Sequence, residues 1–357
     1  MSAGALWAVL MAGGSGTRFW PESRAGRPKQ FLTIFGKKTL LEDTTARLKT
    51  VVPPGRIIAV TQKEQVPLVS KLLKLSRSQV IGENVGRNTA PCAVLAAALI
   101  HRRDPEAVLA LLPADHRIGE EKKFQKALEA AAKVATEQRM PVTFGMKPLF
   151  PHTGYGYLEM DRFFTRKEDF SFYKLKCFHE KPSLPKARRF LKAKRYLWNS
   201  GMFVWRADAL LEAAKKYLPE AYKLAQKILD VGLDSGMKRF YAAMPNISID
   251  YGLMEKLAGK ILSLPVDIDW HDLGGWQAFA DLWPEDGNKN IVKGNALLVE
   301  SSSNIVKAGG RLVALLGVKD LVVVDTPDAL LICPKSETES IRKIVQAIKQ
   351  KNLQKYL

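Results

Sequence analysis

Near the N-terminus an apolar run passes into a loop rich in glycine, Leu10-Met11-Ala12-Gly13-Gly14-Ser15-Gly16-Thr17-Arg18-Phe19-Trp20-Pro21, and Arg27-Pro28-Lys29-Gln30 follows shortly after. Glycines let a backbone approach a bound group closely, so that several N–H groups can point at it. Arg18 and Lys29 add two positive charges beside the loop. The combination predicts a polyphosphate-binding loop at the end of a buried strand. An ordinary glycine turn between a strand and a helix is the alternative.

Two better-known phosphate loops do not fit this stretch. The ATPase loop needs Gly-Lys followed by Ser or Thr, whereas Gly16 is followed by Thr17 and Arg18. The dinucleotide fingerprint needs a third glycine, and counting from Gly14 and Gly16 its place is taken by Phe19. The loop therefore favours a third kind of nucleotide chemistry.

Strand and helix patterns alternate through most of the chain. Buried parallel strands are predicted at residues 6–11, 57–61, 80–82 and 108–112, and helices at residues 40–50, 63–75, 91–102 and 124–138. This alternation is typical of a Rossmann-like, doubly wound α/β sheet, in which ligands bind at the carboxyl ends of the strands. The glycine-rich loop follows the first of these strands.

The pattern changes from about residue 286. Short apolar segments separated by turns, as at Gly309-Gly310, predict a small all-β domain. A last helix is predicted at residues 337–351, with Ile341, Ile344, Val345 and Ile348 on one face that should pack. The predicted domains are residues 1–285 and residues 286–357.

Composition limits the classes of partner. The 55 Lys and Arg residues outnumber the 36 Asp and Glu residues, which gives a formal net charge of +19. Nucleic-acid binding is one interpretation, but the charge is spread along the chain without an RNA-binding motif or a zinc finger. The three cysteines are scattered, so neither a zinc site nor a disulfide framework is expected. Without a signal peptide or an apolar membrane span in the sequence, a cytoplasmic location without a membrane partner is expected.

The loop, with its Phe19-Trp20-Pro21 and Pro28-Lys29-Gln30 variants, resembles the signature of sugar-1-phosphate nucleotidyltransferases, and among these the mannose-1-phosphate guanylyltransferase (GDP-mannose pyrophosphorylase) family. The resemblance implies a nucleotidyltransferase catalytic domain with a mixed sheet at residues 1–285. It also implies a small left-handed β-helix-like domain with a terminal helix at residues 286–357. A homodimer is expected, because an exposed end of such a β-domain could pair with another subunit.

The resembled family implies synthesis of GDP-mannose and pyrophosphate from GTP and α-D-mannose 1-phosphate. The attacking phosphate oxygen is already an anion, so the catalytic task is to bring two polyanions together and stabilise their charge. Arg18 is expected to hold the leaving pyrophosphate and Lys29 to contact the α-phosphate region. Nucleotide binding is expected of Ala12, Gly13, Gly14, Ser15, Gly16 and Thr17, and of Asn88 and Thr89 at the start of a helix. A simple capped helix is the alternative for the last two.

Two aspartates are the candidate ligands of a divalent ion. Asp115 follows the buried strand at residues 108–112, and Mg²⁺ prefers one or two carboxylates together with phosphate oxygens and water. A turn or cap role for Asp115 is the alternative. The resemblance implies that Asp272 is the second ligand, with Asp269 as the alternative. Asp115 is therefore both a catalytic and a metal-binding candidate.

The resemblance places the sugar phosphate on five residues from separate motifs: Gly156, Glu180, Lys181, Asn199 and Asp250. Glu180 suits sugar hydroxyls, and Lys181 suits the sugar phosphate. A structural role is the alternative in both cases. Glu180 and Lys181 could form an exposed ion pair, and Asp250 could belong to a serine-capped helix start at residues 248–255.

Three other functions stay open at this point. The same fold could use another sugar or base, such as glucose 1-phosphate with TTP or UTP. The chain could be a non-catalytic regulatory homologue. A glycosyltransferase is also conceivable, because Asp267-Ile268-Asp269 matches its Asp-x-Asp metal motif. Residue chemistry alone does not identify the base or the sugar.

Overall fold

A computed structural model describes residues 4–14 and 16–357 of the chain. The strands are β1 (Leu6–Ala12), β2 (Ile57–Gln62), β3 (Val80–Glu83), β4 (Val108–Pro113), β5 (Arg117–Ile118), β6 (Val142–Met146), β7 (Tyr157–Lys167), β8 (Phe170–His179), β9 (Tyr196–Arg206), β10 (Leu262–Pro265), β11 (Trp270–His271), β12 (Ile291–Lys293), β13 (Ala296–Val299), β14 (Ile305–Lys307), β15 (Val313–Leu316), β16 (Leu321–Asp325) and β17 (Leu330–Pro334). The α-helices are α1 (Leu40–Ala46), α2 (Val66–Leu73), α3 (Thr89–Arg103), α4 (Glu121–Gln138), α5 (Leu184–Ala193), α6 (Ala207–Tyr217), α7 (Pro219–Asp230), α8 (Leu233–Phe240), α9 (Trp276–Ala280) and α10 (Ile341–Gln350).

The chain divides into two compact units. The larger unit comprises the residues up to Gly13, Thr44–Ala114 and Ile118–Trp270. The smaller unit comprises Gly14–Asp43, Asp115–Arg117 and His271–Leu357. Each unit is therefore assembled from segments that are far apart in the sequence.

The larger unit contains a nine-stranded mixed sheet with the order β3-β2-β1-β4-β9-β6-β10-β8-β7. Strands β1 to β4 pair in parallel, as their continuous apolar sequences predict. Strand β9 then pairs antiparallel with both β4 and β6, and β7 with β8 forms a long antiparallel hairpin. The predicted mixed α/β sheet is confirmed.

Burial explains why the predicted strands form. Ala8, Val9 and Leu10 have no exposed surface, so both faces of β1 are covered. Helix α3 is rich in buried alanines and packs in the same core cluster as β1 and α6. Each of the four predicted strands exists and is one residue longer at its carboxyl end than the sequence pattern predicts. The helix predicted at residues 40–50 is shorter, since α1 ends at Ala46.

The smaller unit contains the β-helix-like domain. Its strands form a four-stranded sheet, β12-β14-β16-β17, and a separate pair, β13 with β15. Ile291, Ile305 and Val322 stack in register along the parallel strands β12, β14 and β16. Asn290 and Asn304 are buried beside them and bond to backbone groups of neighbouring turns, which satisfies polar atoms that the stacked turns would otherwise bury.

One hydrophobic cluster joins distant parts of the smaller unit. It includes Phe19 and Trp20 beside the glycine-rich loop, Phe279 in α9, Val322 in β16 and Ile341 in α10. The predicted last helix exists as a 3-10 turn at Lys335–Ser340 followed by α10, and its Ile341, Val345 and Ile348 are buried as expected.

Within residues 4–14 and 16–357, no helix combines the length and the apolar character that crossing a bilayer requires. Cys92, Cys177 and Cys333 are free thiols.

Candidate active site

The smaller unit contains a cavity of about 280 Å³, which we call the phosphate cavity. Its lining includes six of the residues predicted from the sequence: Gly16, Thr17, Arg18, Lys29, Asp115 and Asp272. His116 and Gly274 also line the cavity. Two cations, two acids and a glycine-rich backbone therefore surround one space.

Lys29 connects the acidic segments of this cavity. It starts a short 3-10 helix after Pro28, and its side chain is largely buried. Its Nζ lies 3.0 Å from Oδ2 of Asp115 and donates a hydrogen bond of 2.5 Å to the backbone oxygen of Asp272. One ammonium group thus holds both predicted metal-binding segments in place.

Asp115 is kept ionised by this arrangement. Burial alone would raise the pKa of its carboxyl group, but the charge of Lys29, with a smaller effect from His116, outweighs burial and lowers that pKa below its ordinary value. The carboxylate therefore remains negative at neutral pH and can bind a cation.

Arg18 lies in the 3-10 helix Thr17–Phe19, and its guanidinium group is partly exposed. Its Nη1 donates a hydrogen bond of 2.5 Å to the backbone oxygen of Gly274. Its Nε lies 3.5 Å from Oε2 of Glu339. The remaining donors of the guanidinium are suited to a bidentate contact with phosphate.

Gly16 needs to be glycine for two reasons. Its φ is +59°, and a Cβ at this position would lie 2.6 Å from Cβ of Lys29. Gly14, by contrast, would place a Cβ in open space. Ser15, which the sequence analysis assigned to nucleotide binding, lies outside the described residues.

The donor set of the phosphate cavity fits a magnesium-type ion. Asp115 and Asp272 line the same space, and in residues 4–14 and 16–357 no cluster of three His, Cys, Asp or Glu side chains could hold a metal by itself. An ion that takes its other ligands from substrate phosphates and water matches two carboxylates well. Asp269 belongs to the larger unit and lies against Gly119, so Asp272 is the better-placed partner of Asp115.

The other predicted nucleotide-binding residues lie in the larger unit. Ala12 ends β1, and its backbone oxygen accepts a hydrogen bond of 3.2 Å from the Thr61 hydroxyl. Asn88 caps α3, since its side chain accepts a hydrogen bond from the Thr89 backbone, and the Thr89 hydroxyl in turn accepts one from the Ile249 backbone. Asn88 and Thr89 therefore form a capped helix start, and their contact with a nucleotide stays a prediction.

Glu83 is a candidate that the sequence analysis missed. It ends β3, it is almost fully buried, and Oε2 would lie 3.0 Å from a Cβ at Gly13. The hydroxyl of buried Tyr241 donates a hydrogen bond to Oε1. Burial raises the pKa of Glu83 to about 7, although this hydrogen bond lowers it. An acid at the end of a buried strand was the available signal, as it was for Asp115.

All five predicted sugar-side residues are brought together in the larger unit. The Asn199 side chain donates a hydrogen bond of 3.0 Å to Asp250, and its backbone N–H donates one of 2.8 Å to the Gly156 oxygen. A Cβ at Gly156 would lie 2.6 Å from Oε2 of Glu180, while Lys181 Nζ is 3.1 Å from Oε1 of the same residue. The Glu-Lys ion pair, the alternative to a sugar-binding role, is therefore present, and the roles of these residues toward a sugar phosphate stay predictions.

Asp250 experiences the negative charge of Glu180. Burial raises the pKa of Asp250 to about 6, and the negative charge of Glu180 adds to the effect. Asp250 begins a π-helical turn, Asp250–Met254, whose Tyr251 N–H donates to the Ser248 hydroxyl. Two neighbouring half-buried acids are well suited to accept hydrogen bonds from hydroxyl groups.

An aromatic group near these residues was not predicted. The rings of His152 and Tyr155 stack with centroids 3.7 Å apart, and the Tyr155 ring meets Trp198 edge-on at 5.1 Å. In the described part of the chain, the buried Nε1 of Trp198 has no hydrogen-bond partner. Trp198 directly precedes Asn199 in β9, where successive side chains point to opposite faces of the sheet.

Family comparisons agree with the fold. The profile of the nucleotidyl transferase family matches residues 7–289, and that of the MannoseP isomerase/GMP-like beta-helix domain matches residues 294–348. The chain therefore belongs to the nucleotidyl transferase family. Membership of this family removes the glycosyltransferase interpretation of residues 267–269.

Individual relatives cover nearly the whole chain. An Escherichia coli K12 protein named mannose-1-phosphate guanylyltransferase is 35% identical over 98% of this chain and 74% of its own length. The xanthan biosynthesis protein XanB of Xanthomonas campestris pv. campestris is 36% identical over 96% of this chain and 73% of its own length. A crystal structure from Thermus thermophilus, described as a mannose-1-phosphate geranyltransferase, has a TM-score of 0.86 at 32% identity and covers 96% of this chain and 99% of the Thermus chain.

Proposed function

We propose that this chain makes GDP-mannose and pyrophosphate from GTP and α-D-mannose 1-phosphate. The observation that carries the proposal is the phosphate cavity, where buried Lys29 joins the Asp115 and Asp272 segments beside Arg18. The names of the near-full-length relatives supply the choice of base and sugar.

The reaction needs charge stabilisation rather than a general base. The phosphate of the sugar is an anion at neutral pH, so its oxygen can attack the α-phosphorus of GTP directly. In the proposed mechanism Lys29 faces the α-phosphate, and Arg18 holds the β- and γ-phosphates that leave as pyrophosphate. Backbone N–H groups of Gly14, Gly16 and Thr17 contribute further donors to the phosphates.

A divalent cation belongs to this proposal, and Mg²⁺ is our choice. Asp115 and Asp272 would hold it in the phosphate cavity, where it would neutralise phosphate charge. Lys29 keeps the Asp115 carboxylate ionised for that purpose.

The sugar-side group would orient mannose 1-phosphate. Glu180 and Asp250 accept hydrogen bonds from sugar hydroxyls, Asn199 can donate and accept, and Lys181 meets the phosphate. The glycine at position 156 leaves space beside Glu180. A Cβ at this position would lie 2.6 Å from Oε2 of Glu180 and would fill that space.

Glu83 offers a physical reason for the choice of guanine. Guanine presents two neighbouring donors, N1–H and N2–H₂, and Glu83 presents two acceptors once it is deprotonated, above its pKa of about 7. Glu83 ends β3 beside Gly13, and Tyr241 fixes its carboxyl group. A Glu83→Gln substitution leaves one acceptor, so it should lower kcat/KM for GTP by about 10- to 100-fold. Unchanged kcat/KM for GTP would exclude this role.

A homodimer and three further properties complete the proposal. A homodimer is consistent with the exposed apolar residues Leu297, Val299 and Leu316 on the β13–β15 pair. The boundary between residues 285 and 286, the cytoplasmic location and the absence of nucleic-acid and membrane partners stay predictions.

The test is pyrophosphate release in the presence of Mg²⁺ and mannose 1-phosphate, with GTP, ATP, UTP and TTP supplied separately. Release with GTP at a rate well above the other three is expected. Glucose 1-phosphate with TTP or UTP serves as the matched comparison for another sugar and base. If only that pair reacts, the substrates are wrong; if no pair reacts, the chain is a non-catalytic homologue.

A further inference from the structure

An acidic side chain from the C-terminal part of the chain lies beside the phosphate cavity. Glu339 belongs to the 3-10 turn Lys335–Ser340, just before α10. Its Oε2 lies 3.5 Å from Nε of Arg18, and its Oε1 would lie 3.7 Å from a Cβ at Gly275. A negative charge thus stands next to a cation that the proposed mechanism assigns to a polyphosphate.

The backbone of Glu339 is fixed by its surroundings. Thr338, the preceding residue, is buried, and its hydroxyl donates to the Lys335 oxygen. Ile341, just after the turn, lies in the hydrophobic cluster that also contains Phe19, the neighbour of Arg18. The glycine-rich loop and the turn of Glu339 therefore share one core, although the carboxylate itself is mostly exposed.

Glu339 does not position Arg18. The guanidinium group is already held by the shorter hydrogen bond from Nη1 to the Gly274 oxygen. An exposed ion pair at 3.5 Å contributes little to a folded structure. What the carboxylate does supply is partial neutralisation of the guanidinium charge, which weakens the attraction of that group for an anion.

We propose that Glu339 is a counter-charge that weakens the binding of pyrophosphate at Arg18 and so favours its release. The inference rests on the proposed function, because it takes pyrophosphate as the leaving group. Before pyrophosphate binds, Glu339 neutralises Arg18, and pyrophosphate has to compete with it for the guanidinium group. Without this counter-charge, a polyanion held at Arg18 would leave more slowly.

The experiment measures pyrophosphate affinity of the full chain by calorimetry in the presence of Mg²⁺. Glu339→Gln keeps the shape of the side chain and removes its charge. It should lower the Kd for pyrophosphate about fivefold at low salt, which corresponds to about 1 kcal/mol. The difference should shrink in about 0.5 M salt, where exposed charges are screened.

Glu337→Gln is the matched control. Glu337 lies on the same 3-10 turn, is exposed, and undergoes the same change in net charge. Its Kd for pyrophosphate should equal that of the wild type. A second comparison uses the Arg18→Gln background, in which Glu339→Gln should have no effect if the carboxylate acts through Arg18.

Three results would overturn the inference. The first is an unchanged or higher Kd for pyrophosphate in Glu339→Gln, and the second is an equal decrease of this Kd in Glu337→Gln. The third is an undiminished decrease of this Kd when Glu339→Gln is made in the Arg18→Gln background. These three results are distinguished from a failure of the proposed function by measuring whether the wild type releases pyrophosphate from GTP. If the wild type releases pyrophosphate while Glu339→Gln binds it normally, only the counter-charge is wrong. If the wild type neither releases nor binds pyrophosphate, both proposals fall.

Discussion

Lys29 shows how much of the site depends on a single side chain. The sequence predicted a cation after Pro28, but it did not predict that the ammonium group would be buried between Asp115 and the Asp272 backbone. Such a contact joins residues that are far apart in the chain, and local sequence carries no information about it. The residue types of the phosphate cavity were therefore predictable from motifs, whereas their mutual contacts were not.

Glu83 allows a test of the electrostatics at the residue scale. Its pKa is raised from 4.5 to about 7. Between pH 4.5 and pH 7, Glu83 therefore keeps its proton in the folded chain but has lost it in the unfolded chain. Stability should consequently fall as pH rises from about 4.5 to 7, by about 3 kcal/mol at 1.4 kcal/mol per pH unit. Glu83→Gln should lack this fall, because glutamine does not titrate.

Urea denaturation of both proteins at pH 5 and pH 8 provides the measurement. The free energy of unfolding of the wild type should decrease relative to that of Glu83→Gln at the higher pH. The same difference between the two proteins at both pH values would show that Glu83 titrates normally.

At the scale of elements, the glycine-rich loop and the β-strands were the most predictable features. Continuous apolar runs gave the parallel strands to within one residue, because strands covered on both faces leave little ambiguity. The resemblance implied a mixed sheet, but the positions and antiparallel pairing of β7, β8 and β9 were not predicted. Strands β7 and β8 carry many polar residues, and their pairing is decided by distant partners rather than by local pattern.

Gly16 is the residue of the loop where a single methyl group should matter most. Gly16→Ala combines a φ of +59° with a contact of 2.6 Å to Lys29, so the Lys29 turn must move. We expect a loss of about 1–3 kcal/mol of stability and about a hundredfold lower kcat/KM, since Lys29 would be displaced from the cavity.

Gly26→Ala is the control, because a Cβ there meets nothing within 4 Å. Its stability should stay within about 0.5 kcal/mol of the wild type. Thermal denaturation and steady-state kinetics measure both effects. Equal behaviour of the two variants would show that the loop tolerates a side chain at Gly16.

At the scale of the whole molecule, the C-terminal domain shares a core with the segments that line the phosphate cavity. The sequence predicted a separate small domain, and its β-helix-like strands are present. The hydrophobic cluster that this domain forms with Phe19 and α9 was not predictable. In the sequence, only the terminal helix showed an apolar face that needed a partner, and nothing identified that partner. The domains predicted from the sequence are two continuous stretches, whereas each compact unit of the folded chain combines several separate segments.

Ile341→Ala tests the importance of that shared core. Ile341 is 1% exposed, and its truncation should cost about 2–5 kcal/mol of stability. Ile332→Ala, at a residue that is 58% exposed, should change stability by less than about 0.5 kcal/mol. Denaturant unfolding measures both variants, and similar values for the two would contradict the description of this cluster as a core.

Nucleotidyl transfer to mannose 1-phosphate is proposed to take place in the phosphate cavity. The decisive measurement is the rate of pyrophosphate formation from GTP and mannose 1-phosphate in wild-type and Asp115→Asn proteins with matching circular dichroism spectra. Rapid formation is expected for the wild type, and a rate at least about a thousandfold lower is expected for the variant. A folded Asp115→Asn protein with turnover close to that of the wild type would contradict it.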